Sequence, residues 1–354
     1  GKDAGEEAGK EEKKDGGGTD EVDMSMFILG GGDDEEEPEQ KLNPKDFIVK
    51  GLEGETVIRN PGQLMGQSFV IEGLKDCYVL LLDHSGQVSI DDCTGCVFYV
   101  GPCEGSLFIR NCTKCKVIAS CNQFRTRDCE DMDVLIHCAQ GQPIIETSTD
   151  IRFGPFDGSY KELTANLSSA RMSPWDTDWT NVHDFNPPKT GEDPHWTFLG
   201  YETTAEDLLG QPLAKLAPGV GAPDSEVIPR AWGDRDAKQD EDRCFLAWGG
   251  AEGFSAEVLG DQILKGIGSE GGIRLVRSRT RQMSEEEVKQ LSAIHGASSG
   301  LEAGYVIAAE FAGVDATKTL TAFAEEVPML ISTSPEKARK LAEDYFGALR
   351  HMSG

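Results

Sequence analysis

Basic side chains are scarce in this sequence, and long apolar runs are missing from it. The 354 residues carry 62 Asp and Glu against 34 Lys and Arg, which gives a formal net charge of −28. Such a field repels nucleic acid and anionic membrane surfaces, so we expect neither as a partner. No apolar run approaches the roughly 18 residues of a membrane span, and no signal peptide opens the chain, which predicts a soluble intracellular protein.

One stretch, residues 69–145, repeats at a nearly constant interval. Four rows of similar sequence align at offsets of 19, 19 and 17 residues, namely 68–77, 87–96, 106–115 and 123–132. Each row has apolar residues two positions apart, which is typical of a strand. A fixed period of this length indicates stacked units that cannot bury their apolar faces alone. Because the period leaves no room for crossover helices, it predicts a parallel β-helix, or a closely related solenoid, with about three short strands per turn.

Alternation along the strands predicts which side chains face the interior. Phe124 and Thr126 share one face with their counterparts in the earlier rows, and the residues between them must share the other face. The outward column then contains Val70, Ser89, Phe108 and Arg125. If Ile145 continues the inward column of Phe124, Glu146 continues the outward column of Arg125. A one-residue slip would instead bury the carboxylate.

The ten cysteines allow two interpretations. The motif Cys-x-x-Cys occurs at 93–96 and again at 112–115, separated by 15 residues, which is an acceptable zinc-ribbon spacing. The same columns in other rows hold Leu74, Cys77, Cys129 and Met132. These positions therefore accept small or flexible apolar residues, and we favour cysteines that stack as interior packing. In an intracellular chain they are expected to be reduced.

Composition divides the chain into an acidic tail, a β-helix, a closing strap with a linker, and an α/β domain, at 1–42, 43–165, 166–240 and 241–354. The tail is predicted to be disordered, because residues 1–40 hold 15 acidic and 4 basic side chains and little apolar pattern. In the third segment Trp175, Trp179 and Trp196 are spread among prolines. This arrangement suits an extended strap lying over the solenoid, with linker beyond Tyr201.

The last segment alternates strand and helix patterns. Strands are predicted at 244–248, 273–276, 305–311 and 329–332, and helices at 255–266, 284–293, 315–326 and 335–349. Regular alternation of this kind predicts an α/β sandwich.

Five short motifs resemble the tubulin-binding cofactor C domain family in their order and spacing. They are Asp-His-Ser at 83–85, Ile-Asp-Asp-Cys-Thr at 90–94, Cys-Asn-Gln-Phe-Arg-Thr-Arg-Asp-Cys at 121–129, Gln-Pro-Ile-Ile-Glu-Thr-Ser at 142–148 and Trp-Thr-Asn-Val-His-Asp-Phe at 179–185. The resemblance covers roughly 43–350. It includes a C-terminal domain that in the family resembles nucleoside diphosphate kinase, which implies a ferredoxin-like α/β fold.

The resemblance implies a GTPase-activating protein for an Arf-like small GTPase, with the β-helix offering an arginine finger. Arg125 stands where the family has that catalytic arginine, and Glu146 resembles its acidic partner. Asn122 stands where the family commonly has a second glutamine, so a shorter amide replaces a longer one. The residues implied to bind the partner are Asn122, Gln123, Phe124, Arg127, Glu146 and Phe185.

The implied partner is an Arf-like GTPase in its GTP form, and that partner holds the GTP and Mg²⁺. No cofactor or metal is therefore expected in this chain. Tubulin and axonemal proteins are further candidate partners, and the resemblance implies the cytoplasm and the cilium or its basal body as the location. Membrane anchoring is not supported, because Gly1 is followed by Lys2-Asp3-Ala4-Gly5 rather than by an acylation signal.

Two alternatives stay open. Taken alone, Arg125 and Arg127 fit arginines that merely solvate an outer strand face. The whole chain fits either a GTPase activator or a structural scaffold protein of a ciliary or microtubule assembly that kept the fold without the activity. Acceleration of GTP hydrolysis by the chain distinguishes the two.

Overall fold

The computed structural model of the chain describes residues 43–219, 227–233, 241–250, 255–268, 272–295, 300–324 and 328–347. The acidic tail predicted for 1–42 and the predicted helix ends at 325–326 and 348–349 lie outside these ranges. The first part of the chain forms β1 (Ile48–Lys50), β2 (Thr56–Arg59), β3 (Phe69–Glu72), β4 (Tyr78–Leu81), β5 (Val88–Asp91), β6 (Val97–Arg110), β7 (Lys116–Arg127), β8 (Glu130–Cys138), β9 (Ile144–Glu146), β10 (Thr149–Pro155), α1 (Leu163–Ser169), β11 (His183–Asp184), β12 (Trp196–Phe198), α2 (Ala205–Leu209) and α3 (Leu213–Leu216).

These strands stack in parallel as a β-solenoid, which confirms the prediction from the repeat. One ladder runs from β1 through β3 and β5 to the second half of β6, then to the second half of β7 and to β9 and β11. A second ladder runs from β2 through β4, the first halves of β6 and β7, and β8 to β10 and β12. In the first ladder Val70, Ser89, Phe108 and Arg125 are register partners, as the alternation predicted.

The solenoid turns its corners with residues in the left-handed region of backbone space. One corner column, which directly follows the first ladder, has positive φ at Gly51, Gly73, Asp92, Asn111, Asp128 and Thr147. Glycine, asparagine and aspartate adopt this conformation at low cost, whereas a β-branched residue does not. Thr147, with φ of 45°, is the β-branched member of the column, and it directly follows Glu146.

The cysteines of the repeat lie inside the solenoid. Thr94 pairs with Thr113, so the two Cys-x-x-Cys motifs stack on one another, and every cysteine in them is buried. Within the described part of the chain, no group of three or more His, Cys, Asp or Glu side chains is arranged to hold a metal ion. Burial raises the pKa of the Cys103 thiol to about 11, as expected for a thiol in the core.

A layer of helices covers the outer side of the second ladder. Its outward residues Leu80, Tyr99, Ile118 and Leu135 are fully buried in one cluster with apolar residues of α1 and α2. Tyr99 packs edge to face against Phe156 and Tyr160, with ring centroids 6.4 and 6.1 Å apart. Part of the segment predicted to be linker beyond Tyr201 therefore packs as α2 on the solenoid, because its Leu208 and Leu209 are buried there.

The C-terminal part of the chain forms an α/β domain whose elements are β13 (Arg243–Trp248), α4 (Ala256–Ile267), β14 (Ile273–Met283), α5 (Glu285–His295), β15 (Gly304–Gly313), α6 (Ala316–Ala324), β16 (Met329–Ile331) and α7 (Pro335–Gly347). Its antiparallel sheet has the order β14-β15-β13-β16, the ferredoxin-like order that was predicted. Buried clusters cover both faces of this sheet.

The strap was expected to lie over the solenoid with its three tryptophans, but only part of it does. Trp196 packs against Phe153 of the solenoid, but Trp175 packs edge to face against Trp248, in the core of the α/β domain. Thr177 exchanges backbone and side-chain hydrogen bonds with Ser278 of β14. Since β14 is an edge strand, the strap supplies the hydrogen-bonding partners that such an edge requires. The domain boundaries themselves remain a prediction.

Among the described residues, no helix is both long enough and apolar enough to span a membrane.

Candidate functional site

Arg125 lies on the outer side of the first ladder, which is the open side in that none of the described helices packs over Arg125. Its Nη2 atom donates a hydrogen bond to Oε2 of Glu146 at 2.7 Å. Its guanidinium carbon lies 5.6 Å from the ring centroid of Phe108 and 5.5 Å from that of Phe185. An ion pair and two cation–π contacts therefore fix the cation, while 43% of the side chain stays exposed.

Glu146 faces outward, as the alternation required, but its register differs from the one predicted. Ile145 pairs with Thr126 rather than Phe124, and Glu146 pairs with Arg127 rather than Arg125. The shift is two residues, and because the side-chain period of a strand is also two, the facing of both residues is unchanged. Glu146 therefore reaches Arg125 diagonally across neighbouring strands.

Phe108 is a central residue of this surface that the site prediction did not include. Its ring lies under three guanidinium groups, with carbon-to-centroid distances of 5.1 Å for Arg110, 5.6 Å for Arg125 and 5.8 Å for Arg127. Arg110 also forms an ion pair with Asp91 at 2.5 Å. The outward column, in which Phe108 directly precedes Arg125, was the sequence signal that pointed to it.

Arg127 is exposed beside the same ring. Its Nε atom lies 3.7 Å from Oδ2 of Asp128, which is a long ion pair between two exposed groups. Such pairs contribute little to stability. Arg127 is therefore accessible at this surface, and its contact with a partner remains a prediction.

Gln123 and Asn122 differ in what their amides can offer. Gln123 is exposed, its Nε2 donates to Oε1 of Gln140 at 2.8 Å, and its Oε1 accepts from Oγ of Ser106 at 2.9 Å. Asn122 is half-buried, and its Nδ2 donates to the backbone carbonyl of Glu104 at 2.5 Å. The shorter amide is therefore engaged with the backbone of the neighbouring strand β6, while the longer one lies on the open surface.

Phe124 was predicted to bind the partner, but its side chain is only 1% exposed and cannot reach one. It points into the solenoid and packs edge to face against Phe153, with centroids 5.8 Å apart. The family motif runs continuously through 122–125, but a strand presents only alternate residues to one side.

Phe185 is exposed over 52% of its surface and completes the aromatic contact on Arg125. Strand β11 adds to β9 next to it, and the backbone N–H of Phe185 donates to the carbonyl of Ile145 at 3.0 Å. Its ring also packs edge to face against His183, at 4.7 Å. Backbone pairing thus brings a residue 60 positions away in the chain to the arginine.

Comparisons with known proteins show what this chain is similar to. The family described as "Tubulin binding cofactor C" matches residues 66–185. "Protein XRP2" from Danio rerio is 32% identical over 322 residues, which covers 87% of this chain and 82% of the relative. "Tubulin-folding cofactor C" from Arabidopsis thaliana is 28% identical over 44% of each chain. A solved structure, "Tubulin Binding Cofactor C from Leishmania major", is 29% identical, covers 38% of this chain and 89% of its own, and has a TM-score of 0.30.

The matched residues 66–185 form the greater part of the parallel β-solenoid that carries Arg125 on its outer side. Because the match to Protein XRP2 covers 87% of this chain, it reaches into the α/β domain. The chain therefore belongs to the tubulin-binding cofactor C domain family. Within that family it resembles Protein XRP2 over most of its length.

Proposed function

We propose that this chain is a GTPase-activating protein that presents Arg125 as an arginine finger to an Arf-like small GTPase in its GTP form. The observation that supports this most is the placement of Arg125. It is exposed on the uncovered side of a solenoid, yet Glu146 and two aromatic rings fix its guanidinium. The nucleotide and its Mg²⁺ would belong to the partner.

Phosphoryl transfer requires a fixed cation close to the transferred group. Charge spreads over the transferred phosphoryl oxygens in the transition state, and an arginine supplied by a second protein accelerates hydrolysis by roughly 10³ to 10⁵. A planar guanidinium can bridge two oxygens, which a lysine cannot. A side chain that is already ordered loses less conformational entropy when the complex forms.

The charge around Arg125 suits the same role. Arg110, Arg125 and Arg127 gather over one ring, and each has a carboxylate partner, so this surface is locally close to neutral in a chain whose net charge is −28. A surface that is less negative than the rest of the chain repels a negative partner less, and the facing surface of a bound nucleotide is negative because of its phosphate groups.

A scaffold function is the second candidate, and the ion pair of Arg125 with Glu146 is the observation that favours it. The two side chains satisfy each other within the chain, so Arg125 could serve the stability of the open face alone. Relatives named for tubulin folding support a link to tubulin-related biology under either function. The cytoplasmic and ciliary location implied by the resemblance remains a prediction.

Single-turnover GTP hydrolysis separates the two functions. An Arf-like GTPase loaded with GTP is mixed with increasing concentrations of the chain, and the rate of phosphate release is measured together with binding. The activator function predicts a rate that rises to a plateau as the complex saturates. Saturable binding with no acceleration by the wild-type chain would contradict it and leave the scaffold function.

A further inference from the structure

The α/β domain touches the solenoid close to the open face through one arginine. Arg279, on β14, donates from Nη2 to the backbone carbonyl of Ala139 at 3.0 Å. Ala139 begins the short loop 139–143 that joins β8 to β9, and β9 carries Glu146. A residue 140 positions further along the chain therefore holds the loop that leads into the candidate site.

Gly141 permits this contact. It is buried, its φ is 79°, and a Cβ atom at this position would overlap the guanidinium of Arg279. Glycine is therefore required twice at this position, once for the backbone conformation and once for the close approach. The loop and the arginine fit one another closely.

Gln140, the residue between Ala139 and Gly141, connects the loop to the strand of Arg125. Its backbone N–H donates to the carbonyl of Asn122 at 3.0 Å, and its Oε1 accepts from Nε2 of Gln123 at 2.8 Å. Gln123 lies two residues before Arg125, on the same side of β7. The contacts thus run without a gap from Arg279 through the loop to Gln123.

We propose that Arg279 is a positioning residue, which acts through the loop and Gln140 to fix the amide of Gln123 beside Arg125. A free glutamine side chain samples many rotamers, and hydrogen bonds at both ends of its amide restrict it to one orientation. The α/β domain then contributes to the open face of the solenoid although it supplies no residue to it. The proposal deepens the proposed function and rests on it for the catalytic consequence.

The first arm of the test needs no GTPase. Two quantities are measured in wild type and in Arg279→Ala. One is hydrogen exchange at the backbone amide of Gln140, and the other is the position of the side-chain amide resonances of ¹⁵N-labelled Gln123. Loss of this hydrogen bond from a charged guanidinium is expected to lower protection of the Gln140 backbone amide by about tenfold and to move the Gln123 resonances toward free-amide positions. Arg281→Ala is the matched control, because Arg281 is two residues away on β14 and bonds to Glu287 and Tyr345 within the α/β domain. It is expected to change neither signal.

The second arm measures single-turnover hydrolysis at saturating chain concentration. Arg279→Ala and Gln140→Ala are each expected to lower the maximal rate by about fivefold, with the half-saturating concentration nearly unchanged. Gln140 is exposed, so its variant keeps the test valid if Arg279→Ala fails to fold. Because Arg279 acts through Gln123, adding Arg279→Ala to Gln123→Ala is expected to cause no further loss.

Two results would overturn the proposal: unchanged Gln140 protection and Gln123 resonances in Arg279→Ala, or losses from Arg279→Ala and Gln123→Ala that multiply in the double variant. A wild-type chain that fails to accelerate hydrolysis would instead overturn the proposed function. The first arm would then still decide whether Arg279 positions Gln123.

Discussion

The solenoid has two outer sides, to both of which β6 and β7 contribute. One side is buried under helices, and the other stays accessible. On the side of the second ladder, Tyr99 and its column are buried under α1 and α2. On the side of the first ladder, Phe108 and Arg125 stay accessible, although β6 and β7 contribute to both sides. The interior is continuous behind both, so the difference lies only in what covers them. The solenoid does not need the open column for its core, so this column can carry polar and charged side chains at the surface.

The largest expected effect contrasts one aromatic residue from each side. Tyr99→Ala removes a fully buried ring that packs against two others, and it should lower the free energy of unfolding by about 4 kcal/mol. Phe108→Ala removes a half-buried ring and should cost about 1–2 kcal/mol. Chemical denaturation of both variants measures the contrast.

Tyr99→Phe controls for the hydroxyl group, which is buried and has no hydrogen-bond partner among the residues that the structure describes. Removing such a group should leave stability unchanged or raise it slightly. If Tyr99→Ala and Phe108→Ala lower the free energy of unfolding equally, the two sides contribute equally to stability. The proposed difference between the covered and the open side would then be wrong.

Asp176 anchors the segment that leaves the covered side for the α/β domain. Its carboxylate accepts hydrogen bonds from the backbone N–H and the hydroxyl of Thr280, at 2.7 and 2.9 Å. Burial nevertheless raises the pKa of Asp176 to about 6, above the 3.8 of an ordinary aspartate. Between these values the folded chain binds more protons than the unfolded chain, so this carboxyl contributes less stability as pH rises from about 4 to about 6.

The free energy of unfolding of wild type minus that of Asp176→Asn should therefore fall across this pH window. The slope should stay below about 1.4 kcal/mol per pH unit, because one carboxyl exchanges at most one proton, and half-burial of Asp176 reduces it further. Burial lowers the pKa of nearby His137 to about 4, which has the opposite sign and is present in both proteins, so it cancels in the difference. A difference that is flat between pH 4 and 6 would contradict the anchoring role.

Thr147 offers a smaller effect on the open side. It holds φ at 45° in a corner column otherwise occupied by Gly, Asp and Asn, and its Oγ1 donates to Asp128. Two levels earlier, Asn111 has φ of 52° and donates from Nδ2 to Asp92 in the same way. Thr147→Asn keeps that hydrogen bond and relieves the β-branched strain, so it should raise the free energy of unfolding by about 1 kcal/mol.

The reverse exchange, Asn111→Thr, is the matched control and should lower stability by a similar amount. If both exchanges destabilise the chain, the strain at Thr147 is not relieved by asparagine and the explanation fails.

The period and alternation of the sequence were sufficient to predict the solenoid and the outward facing of Arg125 and Glu146. The register of Glu146 was missed because a shift of two residues preserves the facing, although the 19-residue spacing from Thr126 to Ile145 contained the answer. Phe124 was assigned to the site because the motif is continuous, whereas a strand alternates.

Other features have no local signature in the sequence. Trp175 lies among prolines without periodicity, so nothing indicated that it would join the core of the α/β domain. The contact of Arg279 with Ala139 joins residues 140 positions apart, and no short motif encodes it. Long-range packing of this kind becomes visible only in the folded chain.

The central claim is that Arg125 acts in the transition state rather than in binding. Single-turnover GTP hydrolysis in saturated complexes, measured together with affinity for the GTP-bound GTPase, tests it most directly. Arg125→Ala should leave affinity nearly intact and reduce the maximal rate by about 10³ or more, and Arg125→Lys should restore little. Glu146→Ala should also lose activity and bind more weakly. Cys112→Ala, a buried control, should lower the melting temperature without changing the rate of the folded complex. If Arg125→Ala abolishes binding and hydrolysis together, or leaves hydrolysis unchanged, Arg125 is not an arginine finger.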